Sequence, residues 1–269
     1  MSTPMAAENT LQTGPSEALG ALDEILGSED PARGLDGLLQ SGDLQRSLPE
    51  VHAIVDFHQS CSVHHKDLWA HTLEVMERTE ADVDLRWAVL MHDVGKIDTR
   101  ALDSRHRVTF HRHEERGAAM MGQVAARMGM AASRVARITF IIEHHGWVNA
   151  YSPTWSDRAV RRLIRRSGPY LEDLLNFSRS DYTTRQGPKR RRIARTLDHL
   201  TERISRLQTE DAEEIHFPRG LGAALAKAHD IPPGPELGTL IAKLKTRVAA
   251  GEVSRDASLE ELIAAAGEL

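Results

Sequence analysis

Apolar positions along this chain recur at three- and four-residue intervals, and no period-two alternation over four or more residues is of a kind that forces a strand. The three- to four-residue period belongs to helices with one buried face. Leu19, Leu22, Ile25 and Leu26 open the pattern, and Ser28-Glu29-Asp30-Pro31 then reads as a helix stop followed by a new start with proline in its first turn. Leu35, Leu38 and Leu39 continue it. Further on, the spacing predicts helices over residues 67–79, 82–92, 114–128, 133–145, 157–166, 170–180 and 189–207. The second of these is read as ending through the glycine of Val94-Gly95-Lys96, with a loop over residues 97–112. Near the C-terminus, Ile231-Pro232-Pro233-Gly234-Pro235 is a rigid break. Leu237, Leu240, Ile241 and Leu244 then share one helix face, and Leu259, Leu262 and Ile263 another.

The fold class predicted is therefore all-α, a helical bundle with a small C-terminal helical tail. Composition agrees: Ala, Leu, Arg and Glu dominate and aromatics are only 4%. The expected organisation is a disordered N-terminus over residues 1–16, an N-terminal helical segment over 17–60, a central domain over 61–210 and the tail over 211–269. At 269 residues the chain suits one large domain or two small ones. A single cysteine, Cys61, excludes a disulfide framework and a CxxC zinc ribbon, and suits a reducing cytosol. No apolar run approaches the ~18–20 residues of a membrane span. The first sixteen residues carry no basic stretch followed by an apolar block, so no signal peptide is read and a cytoplasmic location is expected.

Charge is segregated. The net charge is −5, yet residues 158–195 carry twelve Arg and Lys against Glu172, Asp173 and Asp181. Residues 17–50 are acidic, with bases only at Arg33 and Arg46. The basic segment is a candidate for a polyanion such as RNA, through backbone contacts alone. An amphipathic surface neutralised by a neighbouring element is the competing reading.

Histidine is the enriched residue, with fourteen copies. His71 lies mid-helix, His92-Asp93 abuts the glycine stop, His113 opens the next helix and His144-His145 closes the one after. Asp181 ends a later helix. Neutral imidazole and carboxylate are the usual ligands of Zn, Mn, Fe, Co or Ni, and groups converging from separate helices are how bundles build metal sites. His106 and His111 sit in an Arg-rich loop without a matching carboxylate and are set aside. His64 and His65, before the first of these helices, are read as structural or as supporting the ligands from behind.

Around Leu90-Met91-His92-Asp93-Val94-Gly95-Lys96 the sequence resembles the HD superfamily of metal-dependent phosphohydrolases. That family orders a His, a His-Asp pair and a distant Asp on an all-α bundle, and His71, His92, Asp93 and Asp181 follow that order. Its two-metal members add histidines in between, which His113 and His144 with His145 match. Residues 64–73 and 86–93 are similar to the HD region of bacterial CCA-adding tRNA nucleotidyltransferases. So are Ser28-Glu29-Asp30-Pro31-Ala32-Arg33, residues 155–163 and residues 232–238. The likeness covers roughly residues 20–269. No Gly-Ser pair followed by a strand with two spaced aspartates is present, so nucleotide addition is not expected.

The resemblance implies one or two divalent metal ions (Mn, Co, Ni, Mg or Fe) on His71, His92, Asp93, His113, His144, His145 and Asp181. Asp93 would bridge, because a carboxylate offers two oxygens. The activity implied is phosphatase or cyclic phosphodiesterase action on nucleotides or other phosphorylated small molecules, through a water of lowered pKa. Asp93 and Lys96 are the expected catalytic residues, with Lys96 holding a phosphate oxygen as a point charge. Arg100 and Arg107, with Arg105, are expected at the substrate entrance. Asp67, four residues before His71 on the same helix face, either orients that histidine or is a helix N-terminal acid. Two alternatives stand beside this: a di-iron oxygenase on the same ligand order, which Lys96 disfavours, and a non-catalytic RNA-binding protein. Which of His144 and His145 binds metal, which ester is used and the oligomeric state are left open.

Overall fold

The structure, a computed structural model, describes residues 14–55, 57, 67–182, 186–213 and 215–267. Within them it is helical apart from one two-stranded ribbon, and no helix is long and apolar enough to cross a membrane. The chain divides into two compact units, Met1–Ile204 and Ser205–Leu269.

The first unit opens with α1 (Pro15–Gly27), α2 (Pro31–Ser41), α3 (Asp43–Ser47) and α4 (Pro49–His52). Residues 1–13 of the stretch expected to be disordered lie outside the described residues, but Pro15 and Ser16 belong to α1, where the Glu17 carboxylate accepts from the Gly14 backbone N–H at 3.1 Å. The break before α2 is a capped start: Asp30 accepts from the Arg33 N–H at 3.0 Å with Pro31 in the first turn. Next come α5 (Leu68–Arg78) and α6 (Val83–Met91). Asp67 caps α5 by accepting from Trp69 N at 2.8 Å, and Asp82 caps α6 by accepting from Leu85 N at 2.9 Å. Helix α6 is buried on every side from Leu85 to Met91, so it is the central helix of the unit.

Residues 97–112 are more ordered than a loop. They hold the single-turn α7 (Lys96–Thr99) and the ribbon β1 (Ala101–Leu102) with β2 (Val108–Thr109), paired antiparallel with Ala101 opposite Thr109. Arg107-Val108-Thr109-Phe110-His111 does alternate polar with apolar across β2, but Asp82-Val83-Asp84-Leu85-Arg86-Trp87 alternates too and leads into α6, so an alternation this short does not by itself mark a strand. The ribbon's turn is built by Asp103, whose carboxylate accepts from the backbone N–H groups of Arg105 and Arg107.

Helices α8 (His113–Met128) and α9 (Ala132–His144) pack on each other and on α6. Gly95 and Gly117 make this approach possible. A Cβ on Gly95 would fall 2.1 Å from the His113 carbonyl oxygen and 2.6 Å from Gly117 N. Gly95 has φ −63°, an ordinary right-handed conformation, so it is not a left-handed helix stop; it is needed because another backbone lies against it. Then follow α10 (Gly146–Asn149), α11 (Asp157–Ser167), a single 3₁₀ turn (Gly168–Tyr170) and α12 (Leu171–Asp181). Helix α13 (Gly187–Glu213) contains the boundary between the units.

Arginines tie the first unit together. Buried Arg86 donates to the carbonyls of Leu26 (2.6 Å), Ser28 (2.8 Å) and Thr79 (3.1 Å), satisfying helix-terminal acceptors of α1 and α5. Arg134 pairs with Asp23 and Asp84, and Arg137 with Asp82 and Asp173, each at 2.6–2.7 Å. The second unit packs α14 (Leu221–His229), α15 (Pro235–Ala249) and α16 (Leu259–Ala266) around Leu221, Leu225, Leu244, Val248 and Leu262. A Ser258–Glu261 capping box starts α16.

Candidate metal centre

Six of the seven candidate ligands converge from five places in the first unit. His71 comes from α5, His92 and Asp93 from the turn after α6, His113 from the start of α8, His145 from the α9–α10 elbow and Asp181 from the end of α12. They form two groups of three. One ligand atom each from His71, His92 and Asp181 lie within 4.8 Å of one another, and so do those of Asp93, His113 and His145.

Asp93 faces both groups. Its Oδ2 lies 3.2 Å from His92 Nε2 and 3.9 Å from His71 Nε2, while its Oδ1 lies 3.6 Å from His113 Nε2. Asp181 Oδ1 closes the first group at 3.2 Å from His71 Nε2. Local structure sets the imidazole orientation. Nδ1 of His92 lies 2.7 Å from the Val89 carbonyl, that of His145 2.7 Å from the Ile142 carbonyl and that of His113 3.0 Å from the Phe110 carbonyl. A carbonyl only accepts, so each Nδ1 carries a proton and each Nε2 is the ring atom turned toward the cluster.

The electrostatics favour anionic carboxylates, a neutral imidazole at His145 and a proton on His92. Burial opposes ionisation of Asp93, but the charge and hydrogen bond of His92, with Lys96 and His145, outweigh it and hold the carboxyl well below the usual range. Burial likewise opposes ionisation of Asp181, yet its hydrogen bond with His71 and the charge of His92 bring it down to about 2. Burial, with the nearby charge of His92, pushes His145 down to about 4. His92 is itself raised: burial works against its proton, but the Asp93 charge wins. Oriented Nε2 atoms, able to ligate once any proton they carry is displaced, and two ionised carboxylates within one pocket are a donor set that fits divalent cations of the Mn to Zn series. His92, Asp93 and His145 form the buried floor, while His71, His113, Lys96 and Asp181, each 13–16% exposed, make the open rim.

The remaining candidates lie as follows. His144 is not brought into the cluster. It points to the other side of α9, stacked on Trp147 at 3.8 Å between ring centroids and edge-on to Phe140. Lys96 Nζ is 2.7 Å from Asp93 Oδ2 and lies over the Phe110 ring. The Asp67 carboxylate serves as the α5 cap. Arg107 is paired with Asp103 at the ribbon turn, and Arg100 is exposed just after α7. His64, His65 and Cys61 lie outside the described residues.

Three neighbours of the cluster were not anticipated. Phe177 packs its ring 5.4 Å from those of both His92 and His145, closing the floor. It precedes Asp181 by one helical turn, a spacing that could have pointed to it. Asn149 donates to Asp181 Oδ2 at 3.2 Å, and Glu114 lies 3.1 Å from His113 Nδ1. The end of α12 is held beside α5 by Arg78, which donates to the Tyr182 carbonyl at 2.6 Å.

The chain is 30% identical over 238 residues to the A-adding tRNA nucleotidyltransferase of Deinococcus radiodurans, covering 86% of this chain and 54% of that protein. It is 31% identical over 239 residues to the Multifunctional CCA protein of Verminephrobacter eiseniae, covering 83% and 52%. Against the CC-adding tRNA nucleotidyltransferase of Thermus thermophilus it is 28% identical over 241 residues, covering 86% and 52%. The chain thus spans about half the length of the curated relatives it matches. Residues 68–265 match the HD domain, a stretch that includes all six clustered ligands, and so the chain belongs to the HD domain family.

Proposed function

We propose that this chain is a metal-dependent phosphohydrolase acting on phosphate esters of nucleotides or related small molecules, as a phosphatase or cyclic phosphodiesterase. The observation that carries the reading is Asp93, whose two oxygens face two separate groups of histidines, with a lysine ammonium beside it at the rim. His71, His92 and Asp181 would hold one divalent cation, His113 and His145 a second, and Asp93 would be shared. When bound, such a pair lowers the pKa of an attacking water and neutralises charge on the phosphoryl oxygens.

The residues of the chain do the rest. The Nδ1–carbonyl hydrogen bonds fix three imidazoles before any ligand arrives, so little reorganisation is needed. Phe177 closes the floor against bulk water. Lys96, on the open side, binds a non-bridging phosphate oxygen as a point charge. The relatives' names place their substrates among nucleotides and tRNA, which supports a nucleotide or RNA-end ester here. The test is phosphate release by protein stripped of metal and reloaded with Mn, Co, Ni or Mg, on nucleoside mono-, di- and triphosphates and a 2′,3′-cyclic nucleotide. Asp93→Ala should abolish it.

A second reading, RNA binding without turnover, is favoured by the arginines of α11 within the basic segment 158–195. It predicts steeply salt-dependent tRNA binding and no release of phosphate under any metal.

A further inference from the structure

The His144-His145 dipeptide faces two ways, one imidazole in the metal cluster and the other in an aromatic stack. Beyond that stack is a cavity of about 120 Å³ lined by Trp147, Trp155, Ala159, Arg162 and Arg166. Trp147 is held in place by His144, nearly parallel at 20°, and by the Arg166 guanidinium 4.3 Å from its ring centre. Trp155 is half-buried and set edge-on to Tyr151 at 5.6 Å. The cavity shares Ala159 and Arg162 with a groove of about 600 Å³ along α11, lined by Ser156, Arg158, Arg161 and Arg165.

Three arginines of this helix are not neutralised within the described fold. Elsewhere in the unit the arginines Arg134 and Arg137 each meet two carboxylates. Helix α11 carries five arginines and one acid, Asp157, which is held by Arg203. Among the described residues no carboxylate pairs with Arg158, Arg162 or Arg165. Their side chains stand one turn apart, ~5.4 Å along the axis, on a face that adjoins the two indoles.

We infer that the cavity between Trp147 and Trp155 seats one unpaired nucleobase, while Arg158, Arg162 and Arg165 take the flanking phosphates of a single-stranded nucleic acid. Indole rings accept any base by stacking, and guanidinium groups serve both as phosphate partners and as stacking planes. A duplex hides its base faces and cannot use the cavity. The inference rests on the nucleic-acid reading of α11 and adds the base seat; it does not require hydrolysis.

The test uses the full chain in chelator, titrated against a fluorescein-labelled eight-nucleotide oligoadenylate and followed by anisotropy. The same oligomer as a duplex and inorganic polyphosphate as a baseless competitor are run beside it. The single strand should bind about ten-fold tighter than the duplex. Trp155→Leu should weaken the single strand about ten-fold and leave polyphosphate affinity unchanged, and Trp155→Phe, which keeps a stacking ring, should restore most of the loss. Arg158→Gln, Arg162→Gln and Arg165→Gln together should weaken both ligands and lower the salt slope for the single strand by about 2. Equal binding of strand and duplex, or a Trp155→Leu loss shared by polyphosphate, would overturn the base seat while leaving a phosphate-binding α11 in place. No binding of any polyanion would overturn both.

Discussion

Lys96 and Asp93 form an ion pair across one helical turn, with Nζ 2.7 Å from Oδ2, the same oxygen that faces His92 and His71. A cation entering the first group of ligands must share that oxygen with the ammonium. Lys96→Met removes a like charge from beside the metal, so divalent affinity should rise several-fold in an isothermal titration of stripped protein. The same variant should raise KM for phosphate esters about ten-fold or more, because the anion loses its point charge. A fall in metal affinity would refute this role for the pair.

Gly95 is predicted to be intolerant of any side chain. The nearest obstacle to a Cβ is backbone, the His113 carbonyl oxygen at 2.1 Å, and it cannot rotate away. Gly95→Ala should cost roughly 1–3 kcal/mol or more by overpacking and should displace His113 from Asp93. Thermal unfolding and metal stoichiometry check both halves; an unchanged Tm with full metal content would contradict the close packing.

Arg86 should be among the largest single contributors to stability outside the metal centre. Arg86→Met keeps the apolar stem but leaves carbonyls of Leu26, Ser28 and Thr79 without their donor. An expected loss of ~2–4 kcal/mol, read by urea unfolding, follows from several buried acceptors left unsatisfied. A loss under 1 kcal/mol would mean that water replaces the guanidinium.

The metal-free protein should lose stability as pH falls in two stages. His145 has its pKa in the folded chain pushed down to about 4 from 6.5. The unfolded chain therefore takes up its proton first, and stability declines between about pH 6.5 and 4. Asp181, brought down to about 2 from 3.8, contributes stability that is present above 3.8 and lost as pH falls toward 2. His92 is shifted upward, so its contribution is complete below pH 6.5 and does not offset the first stage. His145→Asn should flatten the Tm profile between pH 6.5 and 4; a variant with the wild-type slope there would contradict the assignment.

How much of this was legible in the sequence differs from element to element. Helical periodicity and the caps Asp30, Asp67 and Asp82 mark where helices begin, because a side chain that satisfies its own helix is a local signal. The choice between His144 and His145 was also written there. Ile138, Ile141 and Ile142 form the buried stripe of α9, and His145 extends it at the i+3, i+4 and i+7 spacings, whereas His144 follows Phe140 on the other face. The role of Gly95 was not legible, since it depends on α8, eighteen or more residues onward in its packing at His113 and Gly117. Arg107 as a substrate contact was read from charge alone, and its partner Asp103 emerges only once the ribbon turns back.

The central claim is that two cations share Asp93 and act on a phosphate ester. Metal content by mass spectrometry and phosphate release should be measured on the same reloaded samples of wild type, His71→Ala, His113→Ala and Asp93→Ala. The account predicts about two ions per wild-type chain, about one in each histidine variant, and turnover in the wild type that disappears with Asp93→Ala. Two bound ions without release from any ester, or release undiminished in Asp93→Ala, would contradict it.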